Sequence, residues 1–207
     1  MYYKYPRTFH LPWSEGINSD DKIIDSLEPF EGMKVIVTEK LDGENTTMYR
    51  DHIHARSIDS PSNFTRNWVK NLHASIQYYI PAGYRIVGEN MWAEHSIRYE
   101  NLESYFYAFA VYDDNNWCLS WHDMEDFLSE LPVYIPTPKV LYHGVFDETK
   151  VRAIHIRNME GYVVRNAGQF HYDDFSKNIV KNVRRDHVQT DKHWLQSVRQ
   201  NGILVER

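Results

Sequence analysis

The longest helical signal in this chain runs from Ser62 to Ile80, where Phe64, Trp68, Leu72, Ile76 and Ile80 recur every four residues. That is one stripe of an amphipathic helix, with Ser62 or Asn63 as its cap. Elsewhere the apolar residues come in short strand-like runs. Val35, Val37 and Glu39 alternate toward a strand end at Lys40, and "TTMYRDHIHARS" reads as a hairpin turning near Asp51 and His52. "YRIVGENMW" and "YFYAFAVYDD" are two further strands, and "EGYVVR" and "NIVKNV" two more. Helices are expected over "HDMEDFLSEL", over residues 147 to 156 with Asp147 as cap, and around "DKHWLQSV". The three prolines of "PVYIPTPKV" permit an extended connection and no helix. Strands and helices in so irregular an order favour an α+β fold over a doubly wound sheet.

A chain of 207 residues, 42% of them hydrophobic, can bury a sizeable core and suits one domain over residues 1–207, with no separate C-terminal domain. Its formal charge of −6 excludes a uniformly basic surface, so a nucleic-acid partner needs a local patch. The segment "KNIVKNVRR", residues 177 to 185, is basic and contains no acid. No apolar run is long enough to span a bilayer, and "MYYKYPRTFH" lacks the apolar core of a signal peptide, so a cytoplasmic protein with no membrane partner is expected. Cys118, between bulky apolar neighbours, is expected in the core of a protein from a reducing compartment. His52 and His54 alternate on one strand with no third ligand, which suits a hairpin surface better than a metal site. His187 and His193, flanking "VQTDK", either contact phosphates or pack. No "GxxxxGK[ST]" loop is present, which speaks against a P-loop ATPase.

Lys40 sits where a strand runs into the turn "KLDG". A free lysine has a pKa of about 10.4, so a nucleophilic one needs burial or cationic neighbours to lower it. Gly43 permits a tight turn and close backbone approach. Four more segments follow in order: "GEN" at 88 to 90, "YAFAVYD" at 107 to 113, "EGYVV" at 160 to 164 and "NIVKNV" at 178 to 183.

These five segments resemble the ordered motifs of the covalent nucleotidyltransferases, the superfamily of polynucleotide ligases and mRNA capping enzymes. Within it, the opening "RTFHLPWSEGINSDDK" and closing "NVRRDHVQTDKHW" look like the RNA ligase domain proteins of phages and bacteria. The resemblance implies antiparallel sheets flanked by helices around an ATP cleft. It also implies an ATP-dependent RNA ligase that uses Mg²⁺ or Mn²⁺ and joins 5′-phosphate and 3′-hydroxyl RNA ends, with a nicked duplex or hairpin among the candidate substrates and an accessory protein among the candidate partners. Lys40 would attack the α-phosphate of ATP, release pyrophosphate and hold AMP as a phosphoramidate.

By the same resemblance, Glu39 lies next to the adenine amino group and Glu89 accepts a hydrogen bond from the ribose. Asn45 either bonds near the nucleotide or stabilises its turn. Arg56, on the strand after "KLDG", contacts the ribose or an incoming phosphate, a task suited to a guanidinium fork. Phe109 stacks on the purine, with Tyr107 or Phe106 in its place if the register differs; alternation puts Tyr107, Phe109 and Val111 on one strand face. Glu160 binds the divalent cation. Lys181 is the α-phosphate ligand. Many relatives carry a second lysine in this last motif, and here Lys177, Arg184 or Arg185 would take its place. The combined field of these cations is expected to depress the Lys40 pKa. A DNA or mixed polynucleotide ligase, and a non-catalytic nucleic-acid-binding relative, remain as alternatives.

Overall fold

The computed structural model describes residues 1–185 and 198–204. The helix expected around "DKHWLQSV" and both His187 and His193 fall on residues outside that range. The described residues form eleven strands in two sheets. In chain order they are β1 (Phe9–His10), β2 (Lys34–Lys40), β3 (Glu44–Tyr49), β4 (Ile53–Ala55), β5 (Arg85–Asn90), β6 (Phe106–Tyr112), β7 (Trp117–Cys118), β8 (Val140–Val145), β9 (Gly161–Asn166), β10 (Phe170–His171) and β11 (Ile179–Val183). The helices are α1 (Asn67–Ile76), α2 (Trp121–Ser129), α3 (Glu148–Arg152) and α4 (Phe175–Asn178). The first sheet runs β1-β11-β9-β2-β8 and the second β10-β7-β6-β5-β3-β4. Among the named strands every pairing is antiparallel except β1 with β11, so the antiparallel sheets that were expected are present and the first carries one parallel edge.

Side-chain alternation sorts the strands into layers. Val35 and Val37 of β2, Tyr162 and Val164 of β9 and Val180 of β11 share the outer face of the first sheet, packed with Phe30 and with Val151 of α3. On the outer face of the second sheet, Met48, Ile86, Phe106 and Val111 pack against Val69, Leu72 and Ile76 of α1 and Met124 and Leu128 of α2. Between the sheets, Ile179 meets Val87, Ala110, Tyr112 and Cys118, so Cys118 is a core residue. Burial of these apolar faces is the main stabilising term for such a fold.

Local signals set several boundaries. Asn63 accepts a hydrogen bond from the Thr65 N–H at 2.7 Å, but it caps a 3-10 turn, Phe64–Arg66, that leads into α1. Phe64 is therefore off the helix stripe and 56% exposed. Ser120 caps α2, and Asp147 caps α3 through the Lys150 N–H. The helix from 147 ends at Arg152 and not at 156. After its prolines the chain forms an edge strand, β8, that no alternation announced, because most of its residues are exposed or half-buried. The hairpin turns at Arg50 to His52 as expected, but His54 is buried rather than on the surface.

β6 departs from simple alternation at one residue. Val87 pairs with Ala110 and Gly88 with Ala108, which leaves Phe109 as the extra residue of a bulge. Val111 consequently joins the helix-covered face, opposite to Phe109 and Tyr107.

A side chain at Gly161 would run into the backbone carbonyl of Asn182. Only glycine lets β11 approach β9 this closely at the register that pairs Gly161 with Val183. Gly161→Ala is expected to lose about 1–3 kcal/mol of stability in urea melts; an unchanged midpoint would contradict the close approach.

Candidate active site

A cleft of about 710 Å³ opens between the two sheets. All eight residues singled out from the sequence line it: Glu39, Lys40, Asn45, Arg56, Glu89, Phe109, Glu160 and Lys181. Sheet register explains the convergence. Lys40 is the last residue of β2 and pairs with Gly161, the first of β9, which sets Glu160 beside it. Thr38, Val163 and Lys181 form a cross-strand row two residues further along, so Lys40 and Lys181 share one face. From the second sheet, Asn45 pairs with Glu89 and Glu89 with Tyr107. Arg56 lies one residue past β4, exposed, and so is not on the strand where it was expected.

Lys40 Nζ donates to Glu160 Oε2 in an ion pair. The Glu160 side chain is 1% exposed and that of Lys40 23%. Burial by itself would push the Lys40 ammonium down, but Glu160 and Glu89 more than offset it and raise its pKa. This reverses the expected depression. The basic segment does not surround Lys40: Lys177 pairs at the surface with Asp174, and Lys177, Arg184 and Arg185 are not among the residues lining the cleft. Lys181 does line it, and burial, only partly opposed by Asp21, lowers its pKa.

Glu89 accepts from the Gly43 N–H at 3.2 Å. Burial pushes its carboxyl up to about 8, against the pull of Lys40 and with the added repulsion of Glu160. Among the described residues, Lys40 thus acts on both carboxylates. Burial also raises Glu39, against the pull of Lys139.

The turn between β2 and β3 is held from outside. Asp42 Oδ2 accepts from the Ser96 N–H at 2.8 Å, the Ser96 hydroxyl at 2.7 Å and the Ile97 N–H at 2.9 Å. Gly43 is close-packed, since a Cβ there would lie 2.5 Å from the Asn90 carbonyl oxygen. Arg66 forks onto both carboxylate oxygens of Glu44. Asn45 Oδ1 is buried with no hydrogen-bond partner among the described residues, an unmet acceptor in the wall of a cleft.

Of the three aromatic candidates, Phe109 is the one that lines the cleft. Tyr107 is buried with its hydroxyl accepting from the Glu103 N–H, and Phe106 is in the helix-covered core. Arg165 Nη1 donates to the Phe109 carbonyl at 2.8 Å and Nη2 to that of Leu119 at 2.9 Å, tying β9 to the bulge. Tyr5 packs edge-on against the Phe109 ring, with centroids 5.2 Å apart. Sequence reasoning passed over Arg165, Tyr5 and Asp21. The signal for Arg165 was a charge inside the apolar run "EGYVVR"; for Asp21 it was the paired acids of "NSDDK".

Among the described residues no three histidine, cysteine or carboxylate side chains group to hold a metal. Magnesium, however, is commonly held by one or two carboxylates together with substrate phosphates, and the neighbouring Glu160 and Glu89 fit that mode.

The RNA ligase family model matches residues 33–183. The chain belongs to the RNA ligase family. Among solved structures it is similar to a lysine-to-alanine variant of the Naegleria gruberi RNA ligase with ATP and Mn, at 19% identity and a TM-score of 0.56, covering 87% of this chain and 58% of that one. An aspartate-to-alanine variant of the same ligase without ligand gives 19% identity and a TM-score of 0.57 over 88% and 57%. An archaeal ATP-dependent RNA ligase gives 12% identity and a TM-score of 0.53 over 87% and 48%. The chain thus spans about half to three-fifths of the length of these ligases. A search of curated proteins by sequence found no match. The likeness establishes the ligase nucleotidyltransferase fold for this RNA ligase family chain. No helix among its described residues is long and apolar enough to cross a membrane.

The Glu89 carboxyl gives a pH test. A folded pKa of about 8 against an ordinary 4.5 means that the folded state binds the extra proton, so this group's contribution to stability is lost as pH rises from about 4.5 through about 8. Glu89→Gln should therefore gain stability on the parent across that window in urea melts, with the difference level below and above it. A difference that does not change with pH would contradict the raised carboxyl.

Proposed function

We propose that this chain is an ATP-dependent RNA ligase that seals 5′-phosphate and 3′-hydroxyl ends through a lysyl-AMP intermediate on Lys40. The observation that carries the reading is the placement of Lys40. It stands at the strand end of a "KLDG" turn, paired with the buried Glu160, in a cleft that also holds Lys181 and the unmet acceptor of Asn45. Membership of the RNA ligase family supports an RNA substrate, and the ATP and Mn of the similar Naegleria ligase structure support the nucleotide and metal.

In the first step the Lys40 amine attacks the α-phosphorus of ATP, an N–P bond forms, and the bond to the bridging oxygen breaks to release pyrophosphate. Lys40 is charged at rest, so it must first lose a proton, and Glu160 is the base in contact with it. Lys181, on the same sheet face, offers an ammonium to the α-phosphate oxygens. Phe109 provides a stacking surface for the purine. Glu89 and Asn45 offer acceptors to the nucleoside, with Glu39 and Arg56 at the border of the cleft. Mg²⁺ or Mn²⁺ held at Glu160 would supply the positive charge that the cleft's own lysines provide only in part.

A 5′-phosphate oxygen of the RNA then takes the AMP from Lys40, and a 3′-hydroxyl attacks that phosphate to expel AMP. We read residues 1–207 as one nucleotidyltransferase domain working in the cytoplasm. It acts alone or with an accessory protein, on RNA ends that include nicked or hairpin forms.

Incubation with α-labelled ATP and magnesium or manganese, then denaturing electrophoresis, tests the reading. Label is expected on the chain with ATP, not with α-labelled GTP, and none on Lys40→Ala. No label with either nucleotide would remove the ligase mechanism and favour a binding relative of the fold. Label followed by sealing of DNA ends alone would move the substrate from RNA to DNA.

A further inference from the structure

We infer that Asp21 is a positioning residue for Lys181, and that its carboxylate, braced by His10 and Ser14, fixes the Lys181 ammonium in the cleft where the α-phosphate is to bind. The inference rests on the ligase reading for the identity of that phosphate, and on geometry for the rest.

The chain before β2 folds onto β11. β1 runs parallel to it with His10 opposite Lys181, and the Leu11 N–H donates to the Lys181 carbonyl at 2.8 Å. The chain then returns alongside β1, where the His10 N–H donates to the Lys22 carbonyl at 2.7 Å and the Ile24 N–H to the His10 carbonyl at 2.9 Å. Asp21 is thereby delivered to the cleft wall beside Lys181, with Oδ1 3.6 Å from Lys181 Nζ. Both side chains are nearly buried, at 11% and 12% exposure. A long, flexible side chain held in one place at that depth needs a fixed countercharge.

The countercharge is itself held. Asp21 Oδ2 accepts from the Asn18 N–H at 3.0 Å and lies 3.3 Å from Nε2 of the fully buried His10. His10 Nδ1 is 2.7 Å from the Ser14 hydroxyl, and Ser14 Oγ accepts from the Val183 N–H at 3.0 Å. The Ser14 hydroxyl lies closer to Nδ1 than to its other acceptor, the Val183 carbonyl at 3.4 Å, and with Nδ1 accepting, the ring proton sits on Nε2 and faces Asp21, an electrostatic approach short of hydrogen-bond geometry. Burial and the nearby Lys181 push the His10 pKa down to about 4, so the ring is neutral at neutral pH. A neutral histidine orients Asp21 without consuming its charge, which is left for Lys181. The network begins and ends on β11, at Val183 and Lys181. A residue whose only task was to fill that space would be apolar.

The test uses the full chain with Asp21→Asn, which keeps the shape and removes the charge, and His10→Gln. Each is measured alone and combined with Lys181→Ala, by the rate of AMP transfer to the protein at saturating labelled ATP. Asp21→Asn is expected to slow transfer about tenfold or more, the scale of losing a close countercharge in a nearly buried ion pair, and His10→Gln less. Neither should slow it further once Lys181 is alanine. Equal slowing in both backgrounds, or none, would overturn the inference. A second readout needs no activity: the titration of Lys181 Nζ by nitrogen NMR, assigned with Lys181→Arg. The midpoint should fall in Asp21→Asn, and an unchanged midpoint would overturn the pairing. A parent that takes no AMP would defeat the ligase reading, and this titration would still decide whether Asp21 holds Lys181.

Discussion

Glu160 is buried at the start of β9 and needs a cation, and Lys40 at the end of β2 supplies it. A carboxylate taken out of water without a partner costs several kcal/mol, and losing one member of a buried pair typically costs about 3–5 kcal/mol. The pairing of β2 with β9 is therefore held at the cleft end by charge and further along by the apolar row of Val35, Val37, Tyr162 and Val164. A slip of β2 by one residue against β9 would turn Lys40 onto the core face and away from Glu160. Gly161 belongs to the same constraint, since β11 reaches its register only because that position has no side chain.

Among the described residues, the charges of the cleft turn on Lys40. Lys40 faces two carboxylates; it stays protonated, and the second carboxylate, Glu89, takes up a proton of its own at pH values where glutamates are ordinarily ionised. The cleft at rest thus holds Lys40 as an ammonium, with no lone pair to offer. Positive charge brought with a nucleotide would relieve both conditions at once, which is the electrostatic case for a substrate that arrives with a divalent cation. Lys181 is paired with Asp21 from the N-terminal segment, so among the described residues each of the two lysines on this sheet face has a carboxylate of its own in contact.

Much of this was legible in the sequence because it depends on strand ends. The alternation into Lys40, the glycine after Glu160 and the order of the five short segments placed the eight candidate residues, and the fold brings them to one cleft. What was not legible depends on contacts between distant segments. No local pattern distinguishes a lysine facing a buried glutamate from one facing other cations, so the direction of the Lys40 shift was misjudged. Phe109 lies at a bulge that breaks the period of its strand, so the face assigned to Val111 was wrong although Phe109 itself lines the cleft. β8 carries no alternation because it is an edge strand exposed along much of its length. The bracing of Asp21 by His10 requires β1 to lie parallel to a strand far along the chain.

The protonation state of Lys40 in the free protein is the decisive property of the cleft. Nitrogen NMR of lysine-labelled protein, with the resonance assigned by Lys40→Arg, reads it directly. An ammonium is expected at neutral pH, with a midpoint above that of an ordinary lysine that falls in Glu160→Gln. A neutral amine at neutral pH, or a midpoint indifferent to Glu160, would contradict the pairing of Lys40 with Glu160.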